Sequence, residues 1–521
     1  MPSVLEPPAI APLAVHAVLR ANKLAVVDDR PDGTRLAWTF AELNREANRL
    51  AHVLADLGVK PGDCVAWCGP NSPGIVRATH ARAKLGAVGV PINYRLTPAE
   101  AAYIVDNSDS VVVYVDAEHA QTFTSVRSAM PKVRHIVTFG GPPPPGALDG
   151  DALLASASDA EVTASDTGFV SLIYTSGTTG RPKGALRGAA DLAQTRALLE
   201  LVGHVPDDVY LTTGPLYHSG PGGYLGVAHT LGNTAVLQRR FDAEDWLRLV
   251  ETYKVSMTFA APTPIRLVCN LPAEIKARYD RSSMRRMIAN AAPWSFALKE
   301  AYMADFGEDS LWEIYGSTEL SVNTVLAPQD QRRKPGACGR PAPGVEIRLY
   351  DERGEEVTEP GVPGEVYIRS VSNFTTYYKA DDRAAEARRG DFATVGDIAY
   401  RDPEGFLYIC DRKNDMIISG GMNVYPAEIE AALELHPGVV EAAVFGIPDD
   451  QWGERVHAVV VPRAGHAITP DDVTTFARQH LAGYKVPRSV SFLAELPHTG
   501  SGKILKRELR EPFWQGRATR V

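Results

Sequence analysis

The 521-residue sequence contains few cysteines, and their number and spacing limit the kinds of protein it can encode. The five cysteines are an odd number scattered through apolar sequence, which is typical of reduced thiols in a cytoplasmic protein. Cys64 and Cys68 are close together but have no second cluster of cysteine or histidine beside them. We therefore expect a structural role for this pair rather than a metal site.

Basic charge and long apolar runs are also lacking. Lysine and arginine number 54 against 63 aspartates and glutamates, and the resulting charge of -9 argues against a nucleic acid as the main partner. No stretch reaches about 18 uninterrupted apolar residues, and the N-terminus lacks a charged start followed by a long apolar segment. We therefore predict a cytoplasmic protein without a membrane span or secretion signal. Its oligomeric state stays open, with a homodimer as one candidate.

Length and hydrophobic alternation predict the fold class. A chain of 521 residues exceeds what one hydrophobic core usually supports, so two or more domains are expected. Thr39 and Glu42 form a capping box before a helical pattern that ends at Gly58. Buried, strand-like runs then alternate with helical segments, as in a doubly wound parallel sheet of an α/β protein. These runs cover residues 64–69, 87–93, 111–116 and 135–140.

Three further segments complete the predicted organisation. Residues 141–166 are rich in Pro, Gly, Ala and Asp, which indicates a solvated connector. From about residue 340 the strands are closely spaced and separated by turns, as in a small antiparallel β subdomain. Beyond Arg412 the pattern of helices and strands predicts a compact α+β domain.

The segment IYTSGTTGRPKG, residues 173–184, carries the strongest chemical signal. An apolar strand leads into a loop whose glycines allow close backbone approach and whose hydroxyls and lysine can hold an anion. Successive amides and hydroxyls of this kind suit the β and γ phosphates of ATP. The loop does not fit the Walker A register, and a Gly/Thr-rich surface turn is the alternative. The residues concerned are Thr175, Ser176, Gly177, Thr178, Thr179, Gly180 and Lys183.

The sequence TSGTTGRPKG resembles the phosphate loop of the adenylate-forming superfamily, which contains acyl-CoA synthetases, peptide-synthetase adenylation domains and beetle luciferases. Further segments in the family's order extend the resemblance over nearly the whole chain. They are PLYHSG, NAAPW, IYGSTE, GEVYIR, VGD, DRKND, GGMNVYPAEIE and TGSGK. The resemblance implies a large N-terminal adenylate-forming domain over residues 1–411, a hinge over 412–415 and a small mobile C-terminal domain over 416–521.

The resemblance also implies a nucleotide site. Tyr315 would stack on adenine, Thr318 would meet the α-phosphate, and Glu319 would hold Mg²⁺, a hard cation that prefers oxygen ligands. Asp397 and Arg412 would bind the ribose hydroxyls. For Glu319 the alternative is a solvated side chain in a turn at the end of a strand. The remaining residues assigned to this site are Asn290, Ala291, Ala292, Pro293, Gly316 and Ser317.

Lys503, in the segment TGSGK, would bridge the attacking carboxylate and the α-phosphate. Its ammonium group would offset the charge that develops in the transition state, whereas a solvated lysine is the alternative. After rotation about the hinge, where Asn414 replaces the usual lysine or aspartate, a glycine segment would line a tunnel for the pantetheine arm. This segment is Ser419, Gly420 and Gly421.

The segment PLYHSGPGG is predicted to lie beside the carboxylic acid substrate. His218 would orient the substrate carboxylate or gate the access of the thiol, and a hydrogen-bonded core histidine is the alternative. The segment contains no aspartate that could receive a substrate α-amino group, and Gly220, Gly222 and Gly223 would leave room for a non-polar acid. Trp294 would either narrow the acyl pocket or pack in the core.

Together these patterns predict an ATP-dependent carboxylic acid–CoA ligase, an acid–thiol ligase that forms an acyl-adenylate and releases pyrophosphate and AMP. Its ligands would be ATP, Mg²⁺, coenzyme A and a fatty, aryl or polycyclic acid. An amide-forming ligase and a luciferase-like oxidoreductase would use the same adenylate and remain alternatives. A nucleotide-binding regulator without catalysis is disfavoured, because Glu319 and Lys503 are both present.

Overall fold

Four β-sheets and the surrounding helices are described by a computed structural model of the chain. The described residues are 12–162, 170–175, 182–188, 191–373, 376–380, 382, 385, 387–413, 415–419, 422–449, 451–499 and 502–515. Within them the fold is α/β, with two large sheets, a smaller antiparallel sheet and a separate C-terminal sheet. The predicted fold class is confirmed.

One large sheet has eight described strands and contains the buried runs that the sequence predicted. From edge to edge the strands are Thr376–Tyr377, Lys183–Arg187, Ser171–Thr175, Val88–Ile92, Cys64–Cys68, Ser110–Asp116, His135–Phe139 and Leu148–Asp149. The central strands pair in parallel, as the alternation of strands and helices predicted. Cys64 and Cys68 are buried free thiols in this sheet, and burial raises the pKa of Cys64 to about 11, so its thiol stays protonated at neutral pH.

The other large sheet has nine described strands. Their order is Arg340–Pro341, Ser321–Leu326, Leu311–Ser317, Arg286–Ala289, Met257–Ala260, Val209–Thr212, Thr234–Leu237, Leu24–Asp29 and Arg35–Thr39. Most of its neighbours are parallel, but Leu311–Ser317 turns back into an antiparallel hairpin with Ser321–Leu326. The segment Tyr-Gly-Ser-Thr-Glu therefore lies at the carboxyl end of a buried strand, where ligands of open α/β sheets bind.

The third and fourth sheets follow in the chain. The third is antiparallel and contains Arg388–Arg389, Phe392–Ala393, Gly364–Arg369, Asp397–Arg401 and Leu407–Arg412, with Glu346–Tyr350 beside Gly364–Arg369. The fourth contains Met422–Val424, Ile417–Ser419, Gly453–Pro462 and Val439–Asp449, with Ser489–Phe492 beside Gly453–Pro462. The predicted β subdomain and the C-terminal α+β pattern are both present.

The helices begin and end at recognisable signals. Thr39 caps Phe40–Asp56, because its hydroxyl accepts from Glu42 N at 3.3 Å and the Glu42 carboxylate accepts from Thr39 N at 2.8 Å. Gly58, with φ of +84°, follows the end of the helix as predicted. Other α-helices are Pro12–Leu19, Pro73–Lys84, Pro98–Asn107, Ala120–Thr124, Gly150–Ser156, Leu192–Val202, Ser219–Thr230, Ala243–Tyr253, Pro262–Cys269, Ala273–Lys276, Phe296–Phe306, Pro426–Leu433, Pro470–His480 and Lys506–Trp514. Across the described ranges, no helix combines the length and apolar character needed to cross a lipid bilayer.

The prediction of a solvated connector over residues 141–166 was wrong in part. Asp149 accepts a hydrogen bond from Ala152 N at 3.0 Å and caps the short helix Gly150–Ser156. Leu154 of this helix is buried, so the segment packs against the eight-stranded sheet. The composition missed this element because a seven-residue helix with one capping aspartate and one buried leucine shows little periodicity.

One hydrophobic core joins the two large sheets. It contains Trp67 and Tyr114 from the eight-stranded sheet together with Tyr210, Phe259 and Ile314 from the nine-stranded sheet. Because this core fixes the sheets relative to each other, the loops at the carboxyl ends of their strands are also held in fixed positions.

Candidate active site

A cavity of about 690 Å³ opens beside the carboxyl ends of the parallel strands in the nine-stranded sheet. Gly214, Ala261, Asn290 and Thr318 follow four of these strands and line it. Lys503, from the C-terminal part of the chain, also lines the cavity. A volume of this size is typical of a small-molecule site.

The phosphate-loop strand and the strand that follows it form an antiparallel pair in which Thr175 faces Lys183. Thr175 Oγ1 donates to Glu319 Oε1 at 2.9 Å, although 144 residues separate them in sequence. The predicted phosphate-loop segment is therefore anchored to the predicted Mg²⁺ ligand. Outside the described residues lie the remaining predicted loop residues, Ser176, Gly177, Thr178, Thr179 and Gly180.

Tyr377 completes this cluster and was missed by the sequence reasoning. Its hydroxyl donates to Glu319 Oε1 at 3.4 Å, and Lys183 Nζ lies 5.4 Å from the centre of its ring. Tyr377 reaches the site because its two-residue strand pairs with Lys183–Arg187. The sequence gives no signal for this contact, since nearly two hundred residues separate the paired strands.

Glu319 is a buried carboxylate that two hydroxyl donors orient. The side chain is 8% exposed. Such a single oriented carboxylate fits a hard cation whose other oxygen ligands come from phosphates.

The predicted ribose residues lie next to each other. Asp397 and Arg412 are cross-strand partners in the third sheet, and Arg412 Nε lies 3.4 Å from Asp397 Oδ1. Tyr315 donates its phenol proton to Asp397 Oδ2 at 2.6 Å. Burial and the neighbouring Asp397 carboxylate raise the pKa of Tyr315 well above its usual range, so the phenol stays protonated. The structure therefore brings together an aromatic ring, a carboxylate and a guanidinium that were predicted from three separate motifs.

The predicted adenine segment is held by Asn290, whose side-chain amide donates to Ile314 O at 2.6 Å. Ala291 follows with φ of +73°, a left-handed conformation that favours glycine. Asn290 and Ala291 line the cavity, whereas Ala292 is half-buried and Pro293 is exposed.

Trp294, which the sequence left open, packs in the core. It is 4% exposed and its ring meets Tyr302 edge-on, with ring centres 6.4 Å apart.

One part of the cavity lining combines hydroxyls, an imidazole and an ammonium group. Thr318 Oγ1 lies 2.9 Å from Ser219 Oγ at the start of helix Ser219–Thr230. His218 precedes this helix, and its buried Nε2 has no hydrogen-bond partner in the described part of the chain. Burial, with a smaller contribution from the charge of Lys503, lowers the pKa of His218 to about 4. The imidazole is therefore neutral at physiological pH and retains hydrogen-bonding capacity.

Lys503 enters the cavity from a tight turn. Thr499 N donates to Lys503 O at 2.7 Å, and Lys503 N donates to Thr499 Oγ1 at 3.1 Å. Gly502, with φ of +80°, accepts through its carbonyl from Thr263 Oγ1 at 3.1 Å. The Lys503 side chain touches the open volume of the cavity, yet the surrounding protein and the charge of Arg412 lower its pKa to about 8.

A buried ion-pair network fixes the C-terminal sheet beside the cavity. Arg266, on helix Pro262–Cys269, lies 3.3 Å from a carboxylate oxygen of Glu434 and 3.0 Å from one of Glu441. His498 Nε2 lies 3.1 Å from Glu441 Oε1, and the proximity of this carboxylate raises the pKa of His498. The network therefore joins the nine-stranded sheet to the segment that carries Lys503.

The three glycines predicted to leave room for an acid differ in role. A Cβ at Gly220 would lie 2.3 Å from Phe259 Cζ, and one at Gly222 would lie 2.7 Å from Leu216 O. At Gly223 a Cβ would meet no atom within 4 Å. Gly220 and Gly223 both line the cavity, but only Gly223 could take a Cβ without meeting a protein atom. The expectation is corrected for Gly222, which does not line the cavity within the described residues.

The predicted pantetheine segment is described only at Ser419. This serine is buried in the fourth sheet, where it pairs with Met422 and Gly453. It does not belong to the residues that line the cavity in the described part of the chain. Beyond the described residues lie Gly420, Gly421 and the hinge residue Asn414.

Comparisons with known proteins agree with the arrangement of a nucleotide-binding cavity. The family model for AMP-binding enzymes matches residues 13–378, and the model for the C-terminal domain of AMP-binding enzymes matches residues 428–503. Feruloyl-CoA synthase from an Amycolatopsis species is 37% identical over 488 residues, which cover 93% of this chain and 95% of that protein.

Two solved structures show the same arrangement over almost their full lengths. The anthranilate CoA ligase AuaEII, in complex with anthranoyl-AMP, has a TM-score of 0.89 and 28% identity, with 98% of each chain covered. The amide bond synthetase McbA from Marinactinospora thermotolerans has a TM-score of 0.84 and 27% identity, with 97% of this chain and 100% of that chain covered.

The left-handed conformation of Ala291 leads to a stability prediction. Ala291→Gly should raise the free energy of unfolding by about 0.5–1 kcal/mol, because this conformation costs a non-glycine residue roughly 1–2 kcal/mol and the greater freedom of unfolded glycine offsets part of the gain. As a matched control, Ala301→Gly at an exposed interior position of helix Phe296–Phe306 should lower stability by about 1 kcal/mol. Thermal unfolding measures both, and a lower melting temperature for Ala291→Gly would contradict the backbone assignment.

Proposed function

This chain belongs to the AMP-binding enzyme family and is an acid–thiol ligase that works through an acyl-adenylate, and we propose that it activates a fatty, aryl or polycyclic acid. The observation that carries the proposal is the position of Lys503 in one cavity with Thr318 and His218. An ammonium group, a hydroxyl and a neutral imidazole lie there beside the buried cluster of Glu319 and Asp397.

For the nucleotide, we propose that ATP lies against Asn290 and Ala291, with Asp397 and Arg412 at its ribose. Thr175 ends one strand and Lys183 begins the next, so the two residues flank the predicted phosphate loop. Their position supports our proposal that the triphosphate lies in this loop. The Glu319 carboxylate would hold Mg²⁺, and the bound ion would supply positive charge to the phosphates. The other proposed contacts are Ser176, Gly177, Thr178, Thr179, Gly180, Ala292, Pro293, Tyr315, Gly316 and Ser317.

In the first step we propose that Lys503 holds the substrate carboxylate and the α-phosphate together. The carboxylate oxygen attacks the α-phosphorus, and the bond to pyrophosphate breaks, which leaves the acyl-adenylate. The ammonium charge of Lys503 offsets the negative charge that grows on the phosphoryl oxygens. Thr318 would donate to the same phosphate, and the partnerless Nε2 of His218 supports a contact with the carboxylate.

In the second step the thiolate of coenzyme A attacks the acyl carbon and displaces AMP. We propose that the C-terminal domain, residues 416–521, first turns about residues 412–415, so that Ser419, Gly420 and Gly421 line the thiol tunnel. Rotation would have to break the ion pairs of Arg266 with Glu434 and Glu441. This network supports the assignment of the described arrangement to the adenylation step, because it holds Lys503 in the cavity.

An amine acceptor is the second candidate for the transfer step. The similarity to an amide bond synthetase along nearly the full chain favours it as the alternative, since the adenylation step would be the same. A cytoplasmic location is supported by the five cysteines, which are all free thiols. A homodimer stays a prediction.

Replacement of Lys503 by alanine tests the first step. Lys503→Ala should lower acid-dependent pyrophosphate release about 10²-fold or more, because the charge next to the reacting phosphate is lost. Binding of ATP, measured by calorimetry, should change little, because the other nucleotide contacts remain. Lys485→Ala is the matched control, since Lys485 lies in the same C-terminal region and pairs with Glu428 at the surface. Full adenylation by Lys503→Ala would contradict the mechanism.

The same lysine predicts a pH dependence. Lys503 is charged below its lowered pKa of about 8 and neutral above it. The kcat/KM of pyrophosphate release should therefore fall as pH rises through about 8, because kcat/KM reports ionisation in the free enzyme. A profile that stays flat up to pH 10 would contradict the lowered pKa of Lys503.

Gly223 and Gly226 provide a matched pair for the acyl pocket, since both lie on helix Ser219–Thr230 and neither would place a Cβ within 4 Å of another atom. Gly223 lines the main cavity, whereas Gly226 lines a small apolar pocket elsewhere. Gly223→Val should lower kcat/KM for bulky aryl or polycyclic acids about 10-fold or more and leave a short acid unaffected. Gly226→Val should leave the preference for acid size unchanged, and the same effect from both variants would refute the pocket assignment.

A further inference from the structure

Arg187 is a positively charged side chain in the wall of the cavity that the proposed mechanism does not use. It is the last residue of strand Lys183–Arg187 and is half-buried. Its terminal Nη2 donates to Ser321 Oγ at 2.6 Å. Nε and Nη1 have no protein acceptor in the described part of the chain, so two donor positions of the guanidinium remain available to a ligand.

No carboxylate among the described residues forms an ion pair with Arg187, although the charge of Glu319 acts on it from a greater distance. Two buried arginines of the protein are paired with carboxylates: Arg77 lies 2.8 Å from Glu46, and Arg286 lies 2.9 Å from Asp208. Burial lowers the pKa of Arg187, but a guanidinium keeps its proton in proteins. A cation in this position is costly unless something in the cavity accepts its hydrogen bonds.

The side chains around Arg187 already satisfy one another. Ser321 Oγ donates to Ser372 O at 2.9 Å, and Ser372 Oγ donates to Gln194 Oε1 at 2.5 Å. Gln194 Nε2 donates to Pro343 O at 3.1 Å. This chain of hydrogen bonds fixes the position of Arg187 without consuming its remaining donors.

Arg187 lies at the opposite end of its strand from Lys183. Three residues lie between it and Lys183 at the start of its strand, so the two positions are about 13 Å apart along an extended chain. The cavity wall near it also includes apolar side chains from two other elements, Leu198 of helix Leu192–Val202 and Val322 of the hairpin strand. The surroundings therefore suit a mostly apolar acyl group with a polar atom at one point.

We propose that Arg187 donates hydrogen bonds to an oxygen at the end of the acyl group remote from the reacting carboxylate. The enzyme would then prefer acids that carry a carbonyl or carboxylate oxygen at that end over hydrocarbon acids of the same shape. Arg187 is a specificity-determining residue in this proposal, which rests on the proposed function of the cavity as an acid-activating site.

Three near-isosteric acids test the preference with the wild-type enzyme. They are 3-phenylpropanoic acids with a para-isopropyl, a para-acetyl or a para-carboxyl group. Pyrophosphate release with ATP and Mg²⁺ should give kcat/KM values about 10- to 100-fold higher for an oxygenated acid than for the isopropyl acid. The acetyl and carboxyl acids distinguish a neutral from an anionic acceptor. Equal values for all three acids would overturn the proposal.

The variant Arg187→Met tests whether this residue is the cause. It should lower kcat/KM for the oxygenated acids, mainly through KM, and leave the isopropyl acid unchanged or improved. Arg187→Lys should retain part of the preference, because it keeps a cation and donors. A uniform loss across the three acids would assign Arg187 a structural role and overturn the proposal.

The outcomes separate this inference from the proposed function. Release of pyrophosphate with the isopropyl acid alone would contradict the role of Arg187 and leave adenylation intact. No release with these three acids, nor with fatty or polycyclic acids, would contradict both. Because the wild-type comparison is informative by itself, the test does not depend on the folding of a variant.

Discussion

The buried carboxylate of Glu319 connects three parts of the site that are distant in sequence. It accepts from Thr175 at the end of the phosphate-loop strand and from Tyr377 on the neighbouring edge strand, and it lies in the hairpin that also carries Thr318. A buried carboxylate with oriented donors can be held only where those donors meet. The two large sheets pack against one core, and this packing brings Thr175 and Tyr377 next to Glu319. The same packing positions the rest of the cavity.

The second constraint is that Lys503, the proposed catalytic lysine, belongs to a different part of the chain from the cavity it enters. Lys503 reaches the cavity because its turn bonds to Thr263 and because Arg266 is paired with Glu434 and Glu441. These are polar contacts across an interface, and contacts of this kind can break and re-form more readily than an apolar core. Such an interface suits a two-step reaction in which one cavity must first contain the lysine and then admit a thiol.

Local sequence patterns predicted many elements and site residues of this protein. The residues that they missed owe their positions to the pairing of strands that are distant in sequence. Thr39 and Glu42 predicted a helix start, and the motifs around Thr175, Glu319 and Lys503 predicted residues that the fold brings to one region. Tyr377 and Arg187 escaped prediction because their roles depend on strand pairing and on a shared cavity. Strand register between distant segments leaves no local pattern in a single sequence.

The central claim is that one enzyme forms an acyl-adenylate and then transfers the acyl group to a thiol. The most direct measurement follows pyrophosphate, AMP and thioester in the same quenched reactions, across acids of differing chain length and ring content, with and without coenzyme A. The account predicts pyrophosphate release that requires acid and ATP, followed by AMP and acyl-CoA in equal amounts only when coenzyme A is present. Formation of AMP with an amine but no thioester with coenzyme A would contradict it, as would consumption of oxygen by the adenylate.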